Sequence, residues 1–200
     1  MLQLVIGNKN YSSWSMRPWV LMKHFGIAFD EIRLRFDFTP GSAFYRELAR
    51  HTPAGRVPVL LVDGFAVWDT LAIAEALADR EAGRGLWPAD PLQRARARSL
   101  CAEMHAGFGA LRSHCPMNIE AQLPAVGARV LAEQAAVGAD LARIDAMWTA
   151  QLAASGGPFL FGAFGIVDAY FAPVVARVRT YGLPLSSEAL AYADRVWGSP

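Results

Sequence analysis

The dipeptide Asp63-Gly64, set between the apolar runs 59–62 and 65–68, constrains this chain more than any other feature. Asp-Gly supplies the two positive-φ residues of a tight hairpin turn, whose twist matches that of the strands it joins. It predicts two adjacent antiparallel strands. Pro58 stands directly ahead of the first and cannot donate a ladder hydrogen bond, so it marks that strand's start. Upstream, Leu2, Leu4 and Ile6 alternate with Gln3 and Val5 as a short strand, and residues 29–34 read as another. Between these two, Ser12 to Ser15 offers helix caps, Pro18 fits a first turn and Gly26 fits the stop. That helix carries Trp19, Val20, Met22 and Phe25. Residues 42–49 read as a short helix, and Asp69 or Thr70 caps another that reaches about Ala82.

The resulting order, βαβαββα, is that of a thioredoxin-like fold: a small mixed sheet with a parallel crossover and a terminal hairpin. Residues 83–91 break the pattern with glycine and proline around Leu86-Trp87 and read as a linker. Beyond it every segment is helical in period: 92–114, 125–153, 166–181 and 187–197. The expected organisation is an α/β domain over 1–82, the linker 83–91, and an all-α helical bundle over 92–200. A chain of 200 residues accommodates two such small domains.

Composition excludes several functions. The formal net charge of +1 gives no overall attraction to nucleic acid. Cys101 and Cys115 form neither a CxxC pair nor zinc-ligand spacing, so no metal site is expected. The first seven residues read neither as a signal peptide nor as a membrane anchor. The most apolar run, 159–176, is interrupted by Asp168 and Pro173 and reads as a buried core helix rather than a bilayer span. A cytoplasmic, reduced setting is the resulting expectation. Hydrophobic residues make up 54% and mean hydropathy is +0.21, enough for a sizeable core with apolar surface left for a partner subunit.

Three segments carry candidate chemistry. The first is 10–19, where hydroxyls cluster at a helix start. Unpaired backbone N–H groups and the helix dipole there stabilise an anion such as a thiolate. A hydrogen bond to a charged group contributes roughly 1.5–3 kcal/mol, enough to lower a thiol pKa by about one to two units. The second is Arg56-Val57-Pro58-Val59. If the Val57-Pro58 bond is cis, the Val57 backbone faces outward to pair with an extended peptide; if trans, Pro58 only opens the strand. The third is Asp69-Thr70, where a helix start can receive a carboxylate and Asp69 an ammonium group. Capping accounts for the first and third segments taken singly. As a set, they describe a site for a peptide bearing a thiol, a carboxylate and an ammonium group.

That set resembles the glutathione transferase family over nearly the whole chain. Ser12-Ser13-Trp14-Ser15 looks like the Ser-Ser-Cys motif of its zeta class, with Trp14 where that class has cysteine. The resemblance implies glutathione as co-substrate, with Ser12 stabilising its thiolate. Ser13 is an alternative donor and Tyr11 a weaker rival. It implies that Val57-Pro58 is the cis-proline segment pairing with the cysteinyl backbone. Asp69-Thr70 would receive the γ-glutamyl end, and Arg56 would lie near the glycine end. Ser12, Ser13, Trp14, Arg56, Val57, Pro58, Asp69 and Thr70 are thus the expected glutathione-binding residues.

The resemblance implies a glutathione transferase acting on a small electrophile in detoxification, and a homodimer. Alternatives are a glutathione-dependent isomerase of the maleylacetoacetate type and a non-catalytic ligand-binding or partner-docking module. A disulfide oxidoreductase is disfavoured because no cysteine lies in the N-terminal half. The missing zeta-class cysteine weighs against the isomerase. His105, Phe108 and Arg112, spaced by three and four, are expected to share a helix face, either lining a pocket for the second substrate or dividing between core and solvent. Asp168 is expected to cap the start of its own helix, although Gly165 stands where relatives carry Ser or Thr. Relatives also continue into another helix beyond Pro200.

Overall fold

The computed structural model describes residues 1–199, and Pro200 lies outside the described residues. The chain divides into two compact units, Met1–Arg84 and Gly85–Pro200.

The first unit runs β1 (Leu2–Ile6), α1 (Ser13–His24), β2 (Asp30–Arg33), α2 (Ala43–Leu48), β3 (Val59–Val62), β4 (Phe65–Trp68) and α3 (Thr70–Arg80). The four strands form one sheet in the order β2-β1-β3-β4. β1 is parallel to β2 and antiparallel to β3, and β3 is antiparallel to β4. This is the thioredoxin-like arrangement expected. Asp63 and Gly64 have φ of 50° and 87°, the paired left-handed residues of a tight hairpin turn.

β1 is central, so Leu4, Val5 and Ile6 are fully buried rather than alternating with exposed residues. Val5, Leu34, Phe44, Leu48, Val59 and Leu61 form one core cluster, binding α2 to the sheet. α1 and α3 pack together and bury Leu21, Met22, Ile73 and Leu77. Because α1 begins at Ser13, Pro18 lies in its second turn and not its first, where its ring removes one helical hydrogen bond.

The second unit comprises α4 (Pro91–Ala106), α5 (Gly109–His114), α6 (Pro124–Glu133), α7 (Ala135–Ser155), α8 (Ile166–Tyr181) and α9 (Ser187–Trp197). α8 is buried along almost its whole length and forms the core. Phe171 of α8 meets Trp148 of α7 edge-on at 5.5 Å, and Tyr192 of α9 lies 4.9 Å from the same indole. The apolar run starting at Phe159 does not enter one helix. Residues 159–163 form a tight turn with bridges Phe159 to Gly162 and Phe161 to Ala163, and the helix begins at Ile166. No helix among the described residues is long and apolar enough to cross a membrane.

Two expected single helices are broken. The segment 92–114 splits because Gly107 ends α4 in an extended conformation and Phe108 adopts φ of 56°. The segment 125–153 splits at Gln134, whose φ of −126° and ψ of 79° are not helical.

Candidate functional site

Strand register determines which loops meet. Val5 near the end of β1 pairs with Val59 at the start of β3, and Val59 pairs with Trp68 at the end of β4. The segment after β1, the segment before β3 and the segment after β4 therefore lie at one end of the sheet. These segments hold Ser12-Ser13-Trp14, Arg56-Val57-Pro58 and Asp69-Thr70. The structure brings the three expected groups of residues together within the first unit.

In the first segment the two serines are not equivalent. Ser12 is the N-cap of α1 and is only 6% exposed. Its Oγ accepts a hydrogen bond from Ser15 N at 3.4 Å and donates to Ser15 Oγ at 2.7 Å. Ser13 is half-buried within the first turn. Tyr11 is 55% exposed and outside the helix. Ser12 is thus the hydroxyl at the positive end of the helix dipole.

In the second segment the Val57-Pro58 peptide bond is cis. Val57 packs on the cluster around Val5 and Val59, and Arg56 is exposed. In the third, Asp69 is the N-cap of α3, with Oδ1 accepting from Leu71 N at 2.9 Å. Its backbone has φ of 72° and ψ of 133°, a conformation rare outside glycine that concentrates where function constrains the chain. Thr70 is buried beside it.

Two further residues of segment 10–19, to which the sequence assigned no binding role, belong to the same cluster. Arg17, 4% exposed, donates from Nη1 to Thr70 Oγ1 at 3.4 Å. Its guanidinium lies 4.3 Å from the centroid of the Trp14 ring, within cation–π range. Arg17 therefore ties α1 to the start of α3 and places buried positive charge near both. Ser15 is 2% exposed and accepts from Gly7 N at 3.1 Å as well as from Ser12. Arg17 carried a sequence signal, a cation among buried positions of an apolar helix. Ser15 carried another, a second hydroxyl three residues after the cap, where the two share a face.

His105, Phe108 and Arg112 do not share a helix face. The break at Gly107-Phe108 puts His105 on α4 and Arg112 on α5, with Phe108 buried at the cap between them. Arg112 Nη1 donates to the carbonyl oxygens of His105 and Gly107 at 3.1 and 3.3 Å. It thus serves the carbonyls left by the end of α4. Among the described residues, no group of three or more His, Cys, Asp or Glu is placed to hold a metal ion.

Residues 11–80 match the family model described as glutathione S-transferase, N-terminal domain, and residues 129–197 match glutathione S-transferase, C-terminal domain. The chain belongs to the glutathione S-transferase family. A maleylacetoacetate isomerase of Rhizobium meliloti is 51% identical over 53 residues, 26% of this chain and 24% of that protein. Protein IN2-1 homolog A of Oryza sativa is 26% identical over 172 residues, covering 86% of this chain and 63% of that protein. The chain thus spans less than two thirds of either relative. A solved glutathione transferase homologue from Burkholderia, crystallised with bound glutathione, superposes with a TM-score of 0.71 at 23% identity. That match covers 100% of this chain and 92% of the other, and it establishes the shared fold.

Proposed function

We propose that this chain binds glutathione at the end of the sheet and acts as a glutathione transferase, activating the thiolate for attack on a small electrophilic carbon. The observation that carries the proposal is the convergence of three segments beside buried Ser12 at the N-terminus of α1. The Ser12 hydroxyl would donate to the sulfur, Val57 would pair with the cysteinyl backbone, and Asp69-Thr70 would receive the γ-glutamyl end. Arg17 would add attraction for the carboxylate beside Thr70, and Arg56 would remain near the glycine end. Ser13 and Trp14 would border the thiol. In this reading 1–82 is the glutathione-binding domain, 83–91 the linker and 92–200 the helical domain.

Rate enhancement would come from two sources: a larger thiolate fraction at neutral pH, and the placement of two reactants side by side. The isomerase reading uses the same site, with the thiol added to the substrate and later expelled. It is favoured by the 51% identical segment shared with a maleylacetoacetate isomerase. The presence of Trp14 at the zeta-class cysteine position weighs against it. A cytoplasmic homodimer completes the proposal; Phe65 and Trp68, exposed along edge strand β4, supply apolar surface for a second subunit.

Ultraviolet thiolate absorbance of bound glutathione, followed against pH, tests the reading. The wild-type chain should hold the thiol about one to two pH units below its solution value, and Ser12→Ala should return most of that difference. An unshifted thiol in the wild type, or an unchanged one in Ser12→Ala, would remove Ser12 from this role. Turnover of an aryl halide against isomerisation of an unsaturated diacid separates the two enzymes. Glutathione binding without turnover on either would favour the non-catalytic module.

A further inference from the structure

The Ser12 and Ser15 hydroxyl oxygens lie 2.7 Å apart and share one hydrogen bond. A thiolate beside Ser12 takes the Ser12 proton, and the shared bond then has to be supplied by Ser15. Ser15 Oγ also accepts Gly7 N–H at 3.1 Å. Both serines are buried, at 6% and 2% exposure. The loop on the other side of Ser15 is fixed. A Cβ at Gly7 would fall 2.1 Å from the Phe36 ring, so the end of β1 is held between that ring and the Ser15 hydroxyl.

A hydrogen bond between two hydroxyls runs in either direction, because each rotates about its own C–O bond. Reversal here moves no heavy atom. Ser12 O–H turns to the incoming sulfur, and Ser15 O–H turns to donate to Ser12 Oγ. Ser15 Oγ keeps the Gly7 N–H throughout. Ser12 Oγ then accepts from the Ser15 hydroxyl as well as from Ser15 N while donating its own proton, and a hydroxyl that accepts becomes a stronger donor.

Resting on the reading of Ser12 above, we infer that Ser15 is a positioning residue for thiolate activation: when Ser12 donates its proton to the glutathione sulfur, the Ser15 hydroxyl donates to Ser12 Oγ across the 2.7 Å contact. No proton is transferred between the serines; two hydroxyl rotors turn.

The test uses the full chain with glutathione as the probe, in wild type, Ser15→Ala, Ser15→Thr, Ser12→Ala and the double variant. Glutathione Kd comes from calorimetry and the bound thiol pKa from thiolate absorbance against pH. Ser15→Ala should raise the bound thiol pKa by roughly half a pH unit, the share expected from losing one cooperative neighbour. Its Kd for glutathione should stay within about threefold of wild type, since the proposed role of Ser15 runs through Ser12 and not through the peptide. Ser15→Thr, which keeps the hydroxyl, should restore the wild-type pKa. Adding Ser15→Ala to Ser12→Ala should change nothing further, because Ser15 acts only through Ser12.

The proposal is overturned if Ser15→Ala leaves the bound thiol pKa in place. It is also overturned if Ser15→Ala shifts the thiol equally with and without Ser12. If the Ser15→Ala chain does not fold, Ser15 is a structural residue and the proposal falls. Failure of the underlying reading is distinguishable, because it appears in the wild-type and Ser12→Ala arms: an unshifted wild-type thiol, or no effect of Ser12→Ala, removes both.

Discussion

At the scale of single residues, Asp168 shows how one carboxylate can do the work of a missing side chain. Gly165, the N-cap of α8, has no hydroxyl to offer the first turn. Asp168 supplies the half of the capping box that remains: its Oδ2 accepts from Gly165 N at 2.9 Å. Its Oδ1 accepts from Leu160 N at 3.2 Å and from the Tyr192 hydroxyl at 2.9 Å. One buried side chain thus joins the 159–163 turn, the start of α8 and the body of α9. Tyr192→Phe removes the phenolic donor while conserving the ring, so the packing on Trp148 survives. It should cost about 1.5–3 kcal/mol, the usual worth of a hydrogen bond to a charged group, measured as a shift in denaturant midpoint at neutral pH. A loss below about 0.5 kcal/mol would mean that the phenol contributes little to the carboxylate.

At the scale of elements, the boundary between legible and illegible is physical. The hairpin and the short helices of the first unit were readable because turn residues and caps are local chemistry. Ser12, Pro58 and Asp69 each announced an element start. The breaks in the helical half were not readable in the same way. Gly107 is a weak helix former and hinted at one, but nothing in Glu133-Gln134-Ala135 marks the other. The Phe108 turn is supported by remote groups, with Asp140 Oδ2 accepting from Leu111 N at 2.9 Å and Arg112 serving the end of α4. The site was legible residue by residue where a motif existed. The Ser12–Ser15 bond and the Arg17–Thr70 bridge emerged only when side chains had positions.

Two helical glycines make a paired test at this scale. Glycine inside a helix normally costs about 1 kcal/mol relative to alanine. Gly138 in α7 is exposed and has open space where a Cβ would project, so Gly138→Ala should stabilise by up to about 1 kcal/mol. Gly127 in α6 is buried, and its Cβ would fall 1.9 Å from the backbone oxygen of Tyr181 in α8. The same approach is fixed nearby by Leu123 N donating to Thr180 O at 2.6 Å. Gly127→Ala must push the two backbones apart and should destabilise by about 1–3 kcal/mol. Urea midpoints of the two variants should move in opposite directions. Matching shifts would mean that helix propensity alone governs both sites.

At the scale of the whole molecule, stability depends on pH through a few groups, because a net charge of +1 generates little self-repulsion. Burial pushes the Asp168 carboxyl up to about 6 from an ordinary 3.8, against the pull of hydrogen bonds from the backbones of Gly165, Leu160 and Asp168 and from the Tyr192 hydroxyl. Between those values the folded chain holds a proton that the unfolded chain has released. Stability therefore falls as pH rises through that window, by on the order of 3 kcal/mol, and levels off above it. His24 acts in the opposite sense: burial lowers its pKa from 6.5, so its contribution grows as pH climbs toward that value. Glu103, held low by its hydrogen bonds from Arg143, contributes stability that is lost as pH falls below the ordinary carboxylate range. That pair is exposed and its contribution is small. The descending limb between about pH 4 and 6 should thus belong to Asp168. Asp168→Asn should lower stability at every pH, since its amide nitrogen meets a donor where the second oxygen accepted one. It should also flatten that limb and leave the His24 limb intact. Urea unfolding of both chains across pH 4 to 7 measures the two slopes, and a limb that persists in Asp168→Asn would assign the pH dependence to other groups.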